Sequence, residues 1–141
     1  MDDDLEIGAR NLMLCRQITY DTYDIASPYS LHHVLTRIRR VTNASALVTQ
    51  PIYLYAEFFG TTGDYEIWID LVEIGYDVDS VEAEVTSYGP FDLTVMPDTF
   101  VCSRFYCLKH VPFPKMGVFE FRISAAGVLE PLTTHRFYVE N

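Results

Sequence analysis

The sequence predicts an all-β domain: a two-sheet antiparallel sandwich of the Ig-like or C2-like kind, with seven to nine strands. Three observations lead there. Short runs rich in Val, Ile, Phe, Tyr and Thr recur along the chain, separated by Gly, Pro, Asp and Asn. The longest runs alternate apolar with polar residues, so each strand has one face to bury. The chain has 141 residues, 49% of them apolar and 14% aromatic. A chain of this size forms one domain and buries roughly 68–70% of its unfolded surface, enough for a core without disulfide or metal staples. Two sheets satisfy such a pattern by packing their apolar faces on each other.

Residues 1–8 are acidic and expected to be disordered, and one domain accounts for residues 1–141. The candidate strands are 11–20, 31–40, 51–59, 64–74, 81–86, 91–96, 101–111, 117–124 and 133–139. Residues 30–41 (SLHHVLTRIRRV) read two ways. Leu31, Val34, Leu35, Ile38 and Val41 recur at helical spacing behind Ser30 as a possible N-cap, but a strand buried on both faces gives the same pattern.

Residues 52–71 read as a hairpin around a Gly60-Thr61-Thr62-Gly63 loop. In that register Phe58 meets Tyr65, Ala56 meets Ile67, Leu54 meets Ile69 and Ile52 meets Leu71, all facing the core. The outer face then carries Tyr53, Tyr55, Glu57, Glu66, Trp68 and Asp70, with Tyr55 opposite Trp68. The glycines serve a corner needing positive φ. A phosphate loop is excluded, because no helix follows the glycines and no lysine reaches back.

Several stretches together resemble a bacterial family of small, uncharacterised β-sandwich domains. Leu14-Cys15-Arg16-Gln17-Ile18 matches its opening strand and Leu31–Ile38 its short aliphatic strand. Pro51 through Leu71 matches its proline-led hairpin, and Val111-Pro112-Phe113-Pro114-Lys115-Met116-Gly117-Val118-Phe119-Glu120-Phe121-Arg122-Ile123 its closing signature. The resemblance spans about residues 11–139. It implies an Ig-like or C2-like sandwich and tilts residues 31–38 toward strand. Ala125-Ala126-Gly127 departs from the family's polar turn, and no catalytic residue carries over.

The charge narrows the function. Ten basic and twenty acidic residues leave a net charge of −10. Such a surface repels phosphate backbones, which argues against nucleic acid and anionic membranes as partners; Arg37, Arg39 and Arg40 are too few to reverse this. No apolar run approaches the length of a membrane span. The first fourteen residues lack the pattern of a secretory signal, and the three cysteines (Cys15, Cys102 and Cys107) form no CxxC, so free thiols in a cytoplasmic protein are expected. Cys102 and Cys107 lie ~17 Å apart on an extended strand, too far to bridge, and are expected to be buried structural thiols.

Candidate chemistry is sparse. His32 and His33 are adjacent and point to opposite faces of a strand, while His110 and His135 are scattered, so no zinc spacing emerges. Asp77 and Asp79, near Glu73 and Glu82, are weak candidates for a C2-like calcium site, which needs six to eight oxygens. No nucleophile–base pair or cofactor motif occurs. The expectation is a non-catalytic binding or assembly module without a cofactor, engaging a protein partner or a second copy through the face bearing Trp68, Tyr55, Tyr53, Glu57, Glu66 and Asp70. A carbohydrate-binding module, with sugars stacking on those aromatics, and a calcium-dependent C2-like module are the alternatives.

Overall fold

The structure, a computed structural model, describes residues 6–20, 29–39, 47–48, 51–74, 82–97 and 101–140. These contain no helix. The strands are β1 (Ile7–Tyr20), β2 (Tyr29–Val34), β3 (Arg37–Arg39), β4 (Leu47–Val48), β5 (Ile52–Gly60), β6 (Gly63–Ile74), β7 (Ala83–Val95), β8 (Cys102–Leu108), β9 (Val111–Pro112), β10 (Gly117–Ala125) and β11 (Thr133–Glu140). One sheet has four strands in the order β2-β1-β5-β8, and the other has five in the order β3-β11-β10-β6-β7. The expected all-β sandwich of two sheets is therefore present. Pairing is antiparallel except between β3 and β11. The ribbon β4-β9 prolongs the β5-β8 ladder beyond Pro51, with a slip of one residue.

Residues 30–34 and 37–39 are strand, with Leu35 and Thr36 joining them, and none of these is helical; Arg40 and Val41 lie outside the described residues. The mixed pattern has a physical cause. The Leu35 N–H donates to Leu14 O (2.7 Å) in the four-stranded sheet, and Thr36 O accepts from Tyr138 N–H (3.0 Å) in the five-stranded one. The chain changes sheets across these two residues, so its buried face changes as well.

The faces assigned to residues 52–71 hold, but their pairing does not. Leu54, Ala56, Phe58, Ile67, Ile69 and Leu71 are fully buried in the core. Yet β5 pairs with β1 and β8, while β6 pairs with β10 and β7. The two strands face each other across the core, and Gly60–Gly63 is an arch between sheets rather than a hairpin turn. Two strands with one apolar face each bury it equally well side by side or face to face. The N-terminal segment helps define the arch. Thr61 N–H donates to Glu6 O (2.8 Å), Glu6 N–H donates to Thr61 Oγ1 (3.2 Å), and Ile7 pairs with Gly60. A Cβ on Gly60, at φ +152°, would lie 2.1 Å from Glu6 O, so only glycine permits this approach. Residues 6–8 are thus paired rather than frayed; residues 1–5 lie outside the described part.

The separately expected strands 81–86 and 91–96 form one edge strand, β7, which bulges opposite Trp68 at Gly89-Pro90. Proline is tolerated there because an edge strand has a row of N–H groups without strand partners. Facing β7, across the open side of the sandwich, is β8. Phe91 packs on Tyr106 (ring centroids 4.8 Å apart), and the Tyr88 hydroxyl donates to His110 O (2.8 Å). Burial pushes both the Tyr88 and Tyr106 phenols up to about 12, marking them as packed structural groups. The core around Phe113, Phe119, Phe121 and Phe137 contains Phe121 stacked on Phe137 at 5.2 Å and Phe113 edge-on to Phe119 at 5.4 Å.

Candidate functional site

Cross-strand pairing fixes which side chains share the outer face of the four-stranded sheet. One row runs Val34, Cys15, Tyr53, Cys107. The next runs Met13, Tyr55, Phe105, and a third Arg10, Glu57, Ser103. Phe59 lies beyond them, across from Gly8. Val34, Phe105 and Phe59 are 52%, 44% and 40% exposed, well above the core, while Tyr53, Tyr55 and Met13 are half-buried.

A bulge in β1 organises the polar corner of this face. Asn11 takes φ 53°, and the pairing slips by one residue between Arg10 and Met13. Asparagine tolerates this left-handed conformation better than most residues. The bulge lets Asn11 Nδ2 and Arg10 Nε both donate to Glu57 Oε1, at 2.8 and 3.1 Å. The Tyr55 hydroxyl donates to Glu57 Oε2 (2.8 Å) and lies 3.1 Å from Ser103 Oγ. Burial alone would push the Glu57 carboxyl up, but the donors Tyr55, Asn11 and Arg10 outweigh it and hold the group below the usual glutamate range. Arg10 also sits 5.9 Å from the Phe59 ring centroid. The ring lies over Gly8, where an added Cβ would come within 2.6 Å of it. Hydrogen bonding to the Cys107 thiol, followed by the charge of that thiol, raises the Tyr53 phenol. Cys15 Sγ donates to Tyr53 O at 3.5 Å, and burial pushes its thiol up to about 11.

Trp68, Glu66 and Asp70 lie on the opposite outer surface, that of the five-stranded sheet. The six residues expected to form one patch therefore fall into two groups of three, separated by the core. The cause is the β5-β6 arch, which puts Tyr55 and Trp68 in different sheets. Trp68 is half-buried for a local reason. It pairs with Ser124 on β10, and on its other side Cε3 and Cδ2 would lie 3.1 and 3.3 Å from a Cβ on Gly89. The indole thus covers the bare backbone of the β7 bulge, a cross-strand aromatic-over-glycine contact that stabilises an edge.

The rest of this outer face is charged. Glu120, 4% exposed, takes Arg122 Nε on Oε2 (2.5 Å) and Arg136 Nε on Oε1 (2.9 Å), and Arg122 continues to Glu82 (2.7 Å). Ser87 donates to Asp70 (2.6 Å) and Thr94 to Asp64 (2.7 Å). Asp64, Glu66 and Asp92 border an open depression of about 500 Å³ with Tyr65, Leu93 and Thr94.

Cys102 is buried, as expected, but Cys107 is exposed. Their separation of five is odd, so on one strand they must point to opposite faces. His135 packs beside Phe137, and its Nε2 is buried without a hydrogen-bond partner. Burial lowers its pKa, against a backbone hydrogen bond at Leu35 that raises it. His32 and His33 are consecutive on β2, and His110 is exposed in the β8–β9 connection. Asp77 and Asp79 lie outside the described residues. Among the described residues, no three His, Cys, Asp or Glu side chains gather as a metal would require.

No protein-family model matches the chain, and a search of curated proteins finds no match either.

Proposed function

We propose that this protein is a non-catalytic binding module that docks a protein partner through the outer face of its four-stranded sheet. The observation that carries the reading is one face holding Phe105 and Val34, both substantially exposed, with the half-buried Met13, Tyr53 and Tyr55, and a further exposed ring, Phe59, beyond the Arg10–Glu57 pair. Apolar area left in water is unfavourable by ~25 cal/mol per Å². Contiguous patches of aromatic and aliphatic side chains are what interface centres consist of. Trp68, by contrast, is occupied by Gly89 and has no central part in the reading.

A sugar platform is less well supported. Sugar binding needs aromatic planes and polar groups with free hydrogen-bonding capacity. Here Glu57 already accepts from Arg10, Asn11 and Tyr55, and the Tyr55 hydroxyl meets Ser103 as well. The polar corner is spent on itself.

The test is position-specific photocrosslinking in the cells that make the protein. A crosslinking phenylalanine analogue placed at position 105 is expected to give protein adducts. The same group at position 129, where Leu129 is fully exposed in the β10–β11 turn, is the control and should not give them. Absence of any adduct from position 105, with the fold intact by circular dichroism, would end the docking reading.

A further inference from the structure

We infer that the occupant of this face is a second copy of the same chain, packed sheet on sheet about a two-fold axis. This rests on the docking reading above and names its partner.

The argument starts from where the charge is. The chain carries a net charge of −10. Among the described residues, the rows that define the four-stranded outer face contain one ionised pair, Arg10 with Glu57, closed on itself at 3.1 Å. The other outer face carries Asp64, Glu66, Asp70, Glu84 and Asp92 on β6 and β7, while its cations Arg122 and Arg136 on β10 and β11 are taken up by Glu120 and Glu82. Among the described residues, the charge is segregated by sheet. Sheets stack ~10 Å apart. Two copies meeting through their neutral faces therefore hold their charged faces roughly 30 Å apart, across three stacking distances. That is three or more Debye lengths at physiological salt, where the length is ~8 Å, so mutual repulsion is screened. Meeting through the charged faces would instead set the carboxylates of β6 and β7 ~10 Å from one another. The neutral face is the one through which two such acidic molecules can approach.

The chemistry of the face suits a self-complementary contact. A two-fold interface brings the same patch to both sides, so it must hold no uncompensated charge. The hydroxyl of Tyr55 is satisfied within its own copy, and Tyr53 stands across from Cys107. The Tyr55 ring can therefore be covered without stranding its hydroxyl. The arrangement repeats what the molecule does internally, where two apolar sheet faces pack on each other.

The size sets the strength. Four strands ~4.8 Å apart and the six steps from Tyr53 to Phe59 at ~3.3 Å give a face of roughly 19 by 20 Å. That is roughly 400 Å² in projection per copy, against ~800 Å² of accessible surface per partner in a standard interface. So small a footprint makes the dimer concentration-dependent rather than permanent.

Sedimentation velocity on the purified chain tests this, from about 5 to about 500 µM, at low salt and at about 0.5 M salt. Wild type is expected to shift from monomer toward dimer with concentration, with no weakening at high salt. Phe105→Asp on β8 and Val34→Asp on β2, each with an unchanged circular dichroism spectrum, should weaken association at least tenfold. Leu129→Asp, off the face, should leave it intact. A wild type that stays monomeric throughout overturns the inference. So does a dimer that survives both face variants or dissociates in salt. If wild type is monomeric while position 105 still crosslinks to other proteins, the second-copy assignment falls and the docking reading stands. If it is monomeric and position 105 crosslinks to nothing, both fall.

Discussion

Gly60→Ala is expected to destabilise the fold by about 3 kcal/mol, and to do so through the N-terminal segment. The added Cβ would sit 2.1 Å from Glu6 O and 2.9 Å from Ile7 Cα, both backbone atoms. No side chain can swing aside to relieve that. Two responses are open. If the segment stays, alanine holds φ +152°, a conformation L residues rarely adopt, at ~1–3 kcal/mol before the clash is counted. If residues 6–8 peel away, the clash vanishes, but Thr61 N–H to Glu6 O and Glu6 N–H to Thr61 Oγ1 are lost together with the ladder pairing of Ile7 and Gly8 to β5, while Tyr65 OH keeps its bond to Thr61 O. At ~0.5–1.5 kcal/mol each, these two bonds and one ladder bond sum to ~1.5–4.5 kcal/mol. The easier route dominates, and both converge near ~3 kcal/mol. In a chain of this size that lowers the melting temperature by roughly 6–12 °C. Urea denaturation gives the free energy directly. A double-mutant cycle identifies the mechanism: in a chain lacking residues 1–8 the clash partner is gone, so Gly60→Ala should cost ~1 kcal/mol more cheaply or better than in the full chain. Additive effects of the truncation and the substitution would refute the arch as described, and a total cost under about 1 kcal/mol would match an ordinary turn glycine instead.

Two further outcomes are expected. Glu120 and Glu57 both have carboxyl pKa values lowered in the fold, because burial, which raises them, is outweighed by hydrogen bonds and charge from Arg122 and Arg136 in one case, and from Tyr55, Asn11 and Arg10 in the other. The unfolded chain therefore binds their protons more readily; their stabilisation is complete above the ordinary glutamate value near 4.5 and is lost as pH falls through the lowered folded values. Denaturation midpoints measured from pH 7 to pH 3 should show this loss, and Glu120→Gln should flatten it; an unchanged acid limb in that variant would assign the effect elsewhere. Trp68→Ala should uncover Gly89 and cost ~1–2 kcal/mol of stability while leaving dimerisation unchanged, and acrylamide should quench wild-type Trp68 partially and equally at low and high protein concentration. Quenching that falls as the protein is concentrated would move the interface to the other sheet.

The buried faces of β5 and β6 were legible in the sequence, but their neighbours were not. A period of two states which side chains go inward, and Leu54, Phe58, Ile67 and Ile69 all did. It does not distinguish a partner beside the strand from a partner across the core, since both bury the same row. Short connections favour hairpins, so Gly60-Thr61-Thr62-Gly63 reads as a turn until Glu6 is seen to occupy the space beside Gly60. Residues 30–39 were ambiguous for a related reason: a strand that leaves one sheet for another changes its buried face midway, and the change imitates helical spacing. Gly89-Pro90 read as a break between strands. On an edge strand it is a bulge, because the missing proline N–H disturbs no ladder there.

The candidate site was half legible. Tyr53, Tyr55 and Glu57 were found from alternation on β5 alone, and that reading needed no neighbour. Their true companions, Phe105 and Val34, come from strands 50 and 19 residues away from Tyr55 and Tyr53, joined to them by the pairings of β5 with β8 and, through β1, of β2 with β1. Trp68 drew attention because a tryptophan on an outer face looks available for contact, and the glycine beneath it lies 21 residues further along the chain. The charge segregation was equally hidden. A net charge of −10 reads as an acidic surface overall, whereas the β5-β6 arch sends Glu57 to one side and Asp64, Glu66 and Asp70 to the other. Had those two strands formed a hairpin, Tyr55 and Trp68 would share a face with four carboxylates, and two copies meeting there would oppose them at close range. The arch removes all but Glu57 from the aromatic face, and Arg10 neutralises that one. The connection that defeated the pairing expected from sequence is therefore what keeps Asp64, Glu66 and Asp70 off the face that bears Tyr53, Tyr55 and Phe105.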